Sequence, residues 1–199
     1  MLILRSAAPS PFGRKVKIAA AILGLSDRIT VVATNTADPD DPIRSVNPLG
    51  KIPTLEFDNG ATLFDSRVIL EYLDHLAGGG KIIPADPSAR FAALRTQALA
   101  DGLMDAALLQ IYERRFRDEA KIEPKWLEMQ AGKVARALGA LEASPPVEHG
   151  DVGAIAVACA LGYLDFRFEG RWRAEHPKLV EWLDAFRATT PAYDATAAH

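Results

Sequence analysis

The chain has 199 residues, of which 49% are hydrophobic and 25% are charged, as is typical of a soluble globular protein with a sizeable core. Its net charge of -3 predicts no general attraction to nucleic acid or to an anionic membrane. A single cysteine, Cys159, excludes an internal disulfide framework, and its apolar neighbours favour a buried, unreactive thiol.

Targeting and metal signals are missing from the sequence. The amino terminus has no pattern typical of a signal peptide, and no apolar run is long enough to span a membrane. We therefore expect a cytoplasmic protein. The four histidines, His75, His149, His176 and His199, lack the spacing of metal ligands, so no metal site is expected.

The chain begins with an alternation of strand and helix patterns. Residues 2–5 predict a short strand, and residues 12–23 predict an amphipathic helix that Gly24 ends. The β-branched residues of 28–34 predict a second strand.

A second group of elements follows. The four prolines of residues 37–53 leave room only for a short irregular helix. Two short strands then flank Asn59-Gly60, a pair typical of a hairpin turn because both residues tolerate positive φ. Residues 65–76 show helical spacing of apolar side chains. The predicted order of the first 76 residues is βαβαββα.

The composition changes after residue 76. A segment rich in glycine and proline, residues 77–87, predicts a linker, and residues 88–199 predict a domain made of helices alone. Ser88 is predicted to cap a long helix that reaches about Phe116. Further helices are predicted near 126–141, 151–166 and 177–188.

Four motifs carry a resemblance to a known family. Ser-Pro-Phe follows the first predicted strand at residues 10–12, NPLGKIP precedes the third at 47–53, FDS follows the fourth at 64–66, and YLDFR lies at 163–167. In this order they resemble the soluble glutathione transferases, most closely bacterial members whose active-site motif is Ser-Pro-Phe. The similarity covers nearly the whole chain.

The resemblance implies both a fold and a ligand. The fold would be an α/β thioredoxin-like amino-terminal domain followed by an all-α carboxy-terminal domain. Glutathione would bind as a substrate along the edge of the first domain, with no metal, in a cytosolic homodimer. No nucleic acid or membrane partner is implied.

Ser10 stands where a hydroxyl could donate to the sulfur of glutathione. A free thiol has a pKa of about 8.5, and lowering it by about two units requires roughly 2.7 kcal/mol. A charge-assisted hydrogen bond of about 1.5–3 kcal/mol and a helix amino end of about 0.3–1 kcal/mol could supply it. Alternatively Ser10 merely caps the helix, with Pro11 at its first position, and Ser6 is a rival hydroxyl.

The residue types at this junction also indicate the kind of chemistry. Relatives with Cys-Pro-Phe-Cys here form a mixed disulfide with glutathione, but this chain has Ser10 and Gly13 at the two cysteine positions. A serine hydroxyl cannot enter thiol–disulfide exchange. The sequence therefore favours thiolate activation over glutaredoxin-like chemistry.

The resemblance assigns residues to the parts of glutathione. Phe12 lies in the active-site motif, and Ile52 would precede a cis proline, Pro53, and offer its backbone to the cysteinyl part. Pro53 could instead simply begin a strand. Lys51 is the candidate for the glycyl carboxylate, with Arg44 behind it, although either could be a solvated surface cation.

The γ-glutamyl end of glutathione carries a carboxylate and an ammonium. Ser66 would offer a helix amino terminus to the carboxylate, and Asp65 would offer its charge to the ammonium. The same two residues could also be a plain capping pair. In many relatives an acidic residue of the following long helix reaches this ammonium across the dimer. Asp101 is the candidate here, with Asp105 as a competing choice, and the alternative is that Asp101 is simply an exposed carboxylate.

Two expectations concern the helical domain. An apolar electrophile pocket should form between Ser10 and this domain, with Phe12, Met104, Leu108, Tyr112 and Trp126 as candidates, although core packing explains their spacing equally well.

The buried helix after residue 151 has only half of a capping box, since Asp151 can cap it but Ala154 stands at the reciprocal position.

The sequence thus favours a glutathione transferase that stabilises the thiolate through Ser10 and conjugates it to an apolar electrophile, or reduces a hydroperoxide with it. A non-catalytic protein-interaction module of the same fold is one alternative. A glutathione-dependent isomerase is another, but those relatives carry a Ser-Ser-Cys type motif where this chain has Ala8-Pro9-Ser10.

Overall fold

The computed structural model describes residues 1–147 and 150–198, and its first 76 residues form one mixed sheet with helices. The strands are β1 (Leu2–Ser6), β2 (Ile29–Ala33), β3 (Thr54–Glu56) and β4 (Thr62–Leu63), and the α-helices are α1 (Pro11–Ile22), α2 (Ile43–Val46) and α3 (Ser66–Leu76). The sheet order is β2-β1-β3-β4, with β1 and β2 parallel and the other neighbours antiparallel. The predicted thioredoxin-like fold is confirmed.

The remainder of the described chain is helical, as predicted. Its α-helices are α4 (Pro87–Phe116), α5 (Pro124–Ala143), α6 (Val152–Phe168), α7 (Pro177–Thr189) and α8 (Ala192–Ala195). Every residue of α6 from Val152 to Leu164 is buried, so this helix forms the centre of the second domain. The predicted linker lies between α3 and the first turn of α4. The short α8 was not predicted.

The two domains meet along α1. Leu4 of β1 lies opposite Leu55 of β3, and both side chains are fully buried beneath the helices. Helix α1 packs against α3 within its own domain and against α6 of the other. The amino end of α1, with Ser10, therefore lies where both domains contribute side chains.

The predicted cap of α4 is wrong, whereas the predicted hairpin of β3 and β4 is present and only its turn geometry was left open. Asp86, not Ser88, caps α4 by accepting a hydrogen bond from Ala89 N–H at 2.9 Å, because Pro87 takes the first helical position and the cap must precede it. In the β3–β4 turn only Gly60 has positive φ, at 82°. Asn59 instead accepts a hydrogen bond from Ala61 N–H at 3.0 Å.

The cap of α6 matches the prediction from the sequence. Asp151 accepts a hydrogen bond from Ala154 N–H at 2.8 Å, and the alanine side chain supplies no reciprocal bond.

No helix in the described part of the chain is long and apolar enough to cross a membrane.

Candidate functional site

Ser10 caps α1. Its backbone is extended, with φ -78° and ψ 115°, and its Oγ accepts a hydrogen bond from Gly13 N–H at 3.1 Å. A serine hydroxyl that accepts one hydrogen bond keeps its own hydrogen, which it can donate elsewhere. The capping role and the predicted role towards a sulfur atom are therefore compatible.

Ser6, the rival hydroxyl, lies beneath the first turn of α1. Its side chain is 2% exposed, and its Oγ has no hydrogen-bond partner among the described residues. A Cβ at Gly13 would overlap with this Oγ, so Gly13 lets the helix approach Ser6 closely. Half-buried Ser10 is consequently the more accessible hydroxyl of the two.

The peptide bond between Ile52 and Pro53 is cis, as the resemblance implied. Pro53 is buried and Ile52 is half-buried beside it. Within the described chain we find no hydrogen-bond partner for the backbone N–H and C=O of Ile52. These two groups are the ones that the resemblance assigns to the cysteinyl part of glutathione.

Asn47 organises this segment, and sequence reasoning missed it. Its side-chain amide is 1% exposed and donates to Lys51 C=O at 2.9 Å and to Thr54 Oγ1 at 3.1 Å. The signal that could have found it is the Asn-Pro pair of the NPLGKIP motif, because asparagine side chains commonly bond to the backbone of nearby turns.

Asp65 and Ser66 form the start of α3. Asp65 is exposed and caps the helix by accepting a hydrogen bond from Arg67 N–H at 2.9 Å. Ser66 is the first helical residue and is 2% exposed. The Phe64–Asp65 peptide bond is also cis. The carboxylate and the helix amino end thus lie side by side, as both the capping and the ligand hypotheses require.

The structure distinguishes the two cations proposed for the glycyl carboxylate. The guanidinium of Arg44 donates to Asp38 C=O at 2.7 Å and to Thr36 C=O at 3.0 Å, so it is committed to the preceding loop. Lys51 is exposed and has no ion-pair partner in the described residues. Lys51 is therefore the better candidate.

Asp101 does not occupy the exposed position expected of a group that reaches across a dimer. Its side chain is 1% exposed, with Oδ1 2.6 Å from Lys15 Nζ and Oδ2 2.8 Å from Arg67 Nε. Lys15 is itself fully buried. Both oxygens are used within the chain, because Asp101 joins α4 to α1 and α3, and this placement does not fit a contact with a partner's ligand.

Asp105, the competing acid, is exposed one turn further along α4. Partial desolvation by the packed residues around it and the nearby charge of Asp101 raise the pKa of Asp105, whereas Arg67 and Lys51 act in the opposite direction. Asp105 thus belongs to the group of charges around the predicted glutathione edge. Of the two acids it is the one left accessible to a ligand.

The expected electrophile pocket is not lined by the expected residues. Met104 is fully buried, Leu108 is half-buried, and Tyr112 packs edge-on against Phe116 with ring centroids 5.2 Å apart. The cavity beside Ser10 is lined by none of the five residues predicted for it, Phe12, Met104, Leu108, Tyr112 and Trp126. Met104 belongs to the hydrophobic core instead, and Phe12 and Leu108 pack against it.

A cavity of about 350 Å³ does lie where the pocket was expected, between Ser10 and the helical domain. Its apolar walls include Pro9, Tyr163 and Phe166, and its polar walls include Arg14. Sequence reasoning did not single out Arg14, whose side chain is only 7% exposed.

Cys159 is fully buried, and burial raises the pKa of its thiol to about 11, which agrees with the predicted unreactive role.

No group of three or more His, Cys, Asp or Glu side chains that could hold a metal ion occurs in residues 1–147 and 150–198. His149 and His199 lie outside the described residues.

Two family models match the chain. The model described as glutathione S-transferase, N-terminal domain, matches residues 9–76, and the model described as glutathione S-transferase, C-terminal domain, matches residues 124–185. The curated "Uncharacterized GST-like protein YibF" of Escherichia coli K12 is 34% identical over 183 residues, which cover 88% of each protein.

Solved structures are also similar over the whole chain. A glutathione transferase family member from Pseudomonas fluorescens Pf-5, crystallised with bound glutathione, has 43% sequence identity and a TM-score of 0.93, with 100% of both chains covered. A crystal structure from the same bacterium with bound S-(propanoic acid)-glutathione gives a TM-score of 0.89 at 43% identity, again with 100% of both chains covered.

Proposed function

The chain belongs to the glutathione S-transferase family, and on that premise we propose that it binds glutathione and conjugates it to an electrophilic carbon. The observation that carries this proposal is Ser10, whose hydroxyl caps α1 and still has a hydrogen to donate at the junction of the two domains. The glutathione complexes of similar bacterial proteins support it.

Ser10 would activate the thiol by stabilising its ionised form. The sulfur of bound glutathione would accept the Ser10 hydrogen bond, and the positive end of α1 would add to the stabilisation. The hydrogen bond contributes about 1.5–3 kcal/mol and the helix end about 0.3–1 kcal/mol. A pKa lowered by about two units corresponds to roughly 2.7 kcal/mol, which lies within the combined range of about 1.8–4 kcal/mol for the two effects.

The rest of glutathione would lie along the edge of the sheet. Ile52 would pair with the cysteinyl backbone through its N–H and C=O, beside Phe12. Ser66 and Asp65 would hold the γ-glutamyl carboxylate and ammonium at the start of α3. Lys51 would bind the glycyl carboxylate as an exposed cation.

The proposed reaction is a nucleophilic attack by sulfur. The thiol loses its proton to solvent, the C–S bond forms, and the leaving group departs with its electron pair. The apolar walls next to Ser10 suit an electrophile with an apolar body, which would be held near the thiolate. As a side activity, two glutathiones could reduce a hydroperoxide to an alcohol and water while forming glutathione disulfide.

We carry the expected homodimer forward on the family resemblance. Val68 on α3 and Phe91 on α4 are 45% and 69% exposed, which provides apolar surface for a second copy. The cross-dimer contact itself is not assigned to Asp101, because that side chain is already paired within its own chain.

The test is the ultraviolet absorbance of thiolate when glutathione titrates the protein from pH 5 to 9. We expect Ser10→Ala to keep glutathione binding, to return the pKa of the bound thiol towards the free value, and to lower turnover about 10- to 100-fold. Ser10→Thr keeps the hydroxyl and should rescue the pKa. Ser6→Ala is the matched control and should leave it unchanged.

The outcomes separate the alternatives. An unchanged pKa and turnover in Ser10→Ala would assign thiolate activation to another group. A wild-type protein that binds no glutathione at millimolar concentration would favour the non-catalytic module. A cis-enone substrate that is isomerised, with no conjugation of other electrophiles, would favour the isomerase.

A further inference from the structure

Arg14 is a buried cation that no carboxylate neutralises within the described part of the chain. It lies one turn after Ser10 on α1, is 7% exposed, and lines the cavity beside Ser10. Its Nη2 donates to Tyr193 C=O at 2.6 Å and its Nε donates to Thr196 Oγ1 at 3.3 Å. Among the described residues, no carboxylate lies within 4.0 Å of its nitrogens, which is unusual because burying an uncompensated charge is costly.

At Gly162 the helix α6 has no side chain, and Arg14 approaches the helix at this position. A Cβ at Gly162 would overlap with Arg14 Nη1 and would lie 2.6 Å from the hydroxyl oxygen of Tyr193. A guanidinium nitrogen and a phenol therefore converge on one spot of the cavity wall. Burial raises the pKa of Tyr193, so the phenol keeps its proton at neutral pH and can donate it in a hydrogen bond.

The other arginines of the cavity are neutralised. Arg173 forms two hydrogen bonds with the carboxylate of Asp165, at 2.9 and 2.7 Å. Arg187 lies 3.0 Å from the carboxylate of Asp194. Three arginines and two aspartates are among the described residues that line the cavity, so within that set one positive charge remains, and it belongs to Arg14.

We propose that Arg14 and the hydroxyl of Tyr193 bind the carboxylate of the electrophile, so that the substrate class is an electrophile with an apolar body and a carboxylate. This inference rests on the proposed function, since it takes the reacting sulfur to lie at Ser10. It revises the expectation of a wholly apolar electrophile.

The volume of the cavity limits the size of the substrate. Ser10 caps α1 and Arg14 follows one turn later, and both line this cavity of about 350 Å³, which can hold one substituted aromatic ring. Phe166 and Pro9 are apolar walls of the same cavity. An aromatic electrophile whose carboxylate lies opposite the reacting carbon fits this arrangement.

The test compares 4-chloro-3-nitrobenzoate with 4-chloro-3-nitrobenzamide, which differ mainly in charge. In both, the thiolate attacks the ring carbon that bears chlorine, a C–S bond forms, and chloride leaves with the electron pair. Each kcat/KM is divided by the rate constant of the uncatalysed reaction with glutathione. We expect the wild type to favour the benzoate at least tenfold, and a ratio near one or below would overturn the proposal.

Variants identify the residues responsible. Arg14→Gln should lower kcat/KM for the benzoate about 10- to 100-fold and for the benzamide less than threefold, and Arg14→Lys should keep part of the preference because it keeps the charge. Tyr193→Phe removes only the hydroxyl and should reduce the preference severalfold. Arg171→Gln, an exposed arginine outside the cavity, is the control and should change neither rate.

Calorimetric binding of the two preformed glutathione thioethers separates this inference from the proposed function. If the benzoate thioether binds at least tenfold more tightly than the benzamide thioether, and Arg14→Gln loses this difference, the result would support the carboxylate site even if turnover were absent. Equal binding of acid and amide would overturn the carboxylate site and leave the proposed function standing. If neither thioether binds and no thiolate forms, both proposals fail.

Discussion

Arg14 and Lys15 are neighbouring cations on α1, and both are buried, but their surroundings differ. Lys15 is fully enclosed, and its ammonium lies 2.6 Å from the carboxylate of Asp101. Arg14 faces α6 and α8, where it meets a carbonyl, a hydroxyl and the face of the Tyr193 ring, 4.0 Å from the ring centroid. One cation has its counter-charge in the chain, and the other has none in the described residues.

This difference separates a structural charge from a charge available to a ligand. The contact of Lys15 with Asp101, extended by Arg67, joins α1 and α3 to α4 and so fixes the two helices that begin at Pro11 and Ser66. A pair of this kind is complete without a ligand. Arg14 has no carboxylate beside it in residues 1–147 and 150–198, and it lines a cavity.

The largest effect is expected from breaking the Lys15 pair. Asp101→Asn leaves the fully buried ammonium of Lys15 without a counter-charge, so the free energy of unfolding should fall by about 3–5 kcal/mol. Chemical denaturation measures this loss. Glu71→Gln is the matched control, because Glu71 pairs with Arg90 at the surface and should cost at most about 1 kcal/mol.

A double variant checks the interpretation. Lys15→Met combined with Asp101→Leu removes both charges and should recover much of the stability, since no buried charge is then left alone. Equal losses in Asp101→Asn and Glu71→Gln would contradict the structural role of the buried pair.

An intermediate effect is expected from crowding Arg14. Gly162→Ala places a methyl group against Arg14 and Tyr193, so the free energy of unfolding should fall by about 1–3 kcal/mol and the preference for a carboxylate should drop. Gly139→Ala is the matched control: it also lies within a helix, but nothing is within 4 Å of its new Cβ. That variant should gain up to about 1 kcal/mol. A similar gain in Gly162→Ala would contradict the close approach.

The smallest effect concerns Asp105, the acid next to the paired Asp101. The pKa of Asp105 is raised in the folded protein, so the folded state binds this proton more tightly than the unfolded state does. Stability therefore falls as the pH rises above 3.8, the ordinary pKa of an aspartate. Asp105→Asn should therefore be slightly more stable than the wild type at pH 7. The difference should vanish as the pH falls towards 3.8. Denaturation midpoints at several pH values measure it, and a difference that grows on acidification would contradict this sign.

Most of the first domain was predictable, because its signals are local. Gly24 ends α1, prolines restrict α2 to one short turn, and Asn59-Gly60 marks the hairpin, although only Gly60 takes positive φ. The errors are local as well. Ser88 was predicted to cap α4, but Pro87 fixes the first helical position and leaves the cap to Asp86.

The site was predictable only in part. Ser10, the cis bond before Pro53 and the cap at Asp65 lie in short motifs, so the sequence could place them on their elements. The partners of Asp101 could not be predicted, because Lys15 is 86 residues away along the chain. A carboxylate in the middle of a helix looks the same in sequence whether it is solvated or buried in an ion pair.

By itself the sequence determined the order of the elements, the family resemblance and the serine that caps α1, since these depend on periodicity, turn residues and short motifs. Only the tertiary structure decided that Arg14 meets Tyr193, 179 residues away, while Lys15 meets Asp101. Adjacent residues of a helix point in directions about 100° apart. The chain that packs on each side, rather than the residue type, therefore determines which charge is paired and which remains for a ligand.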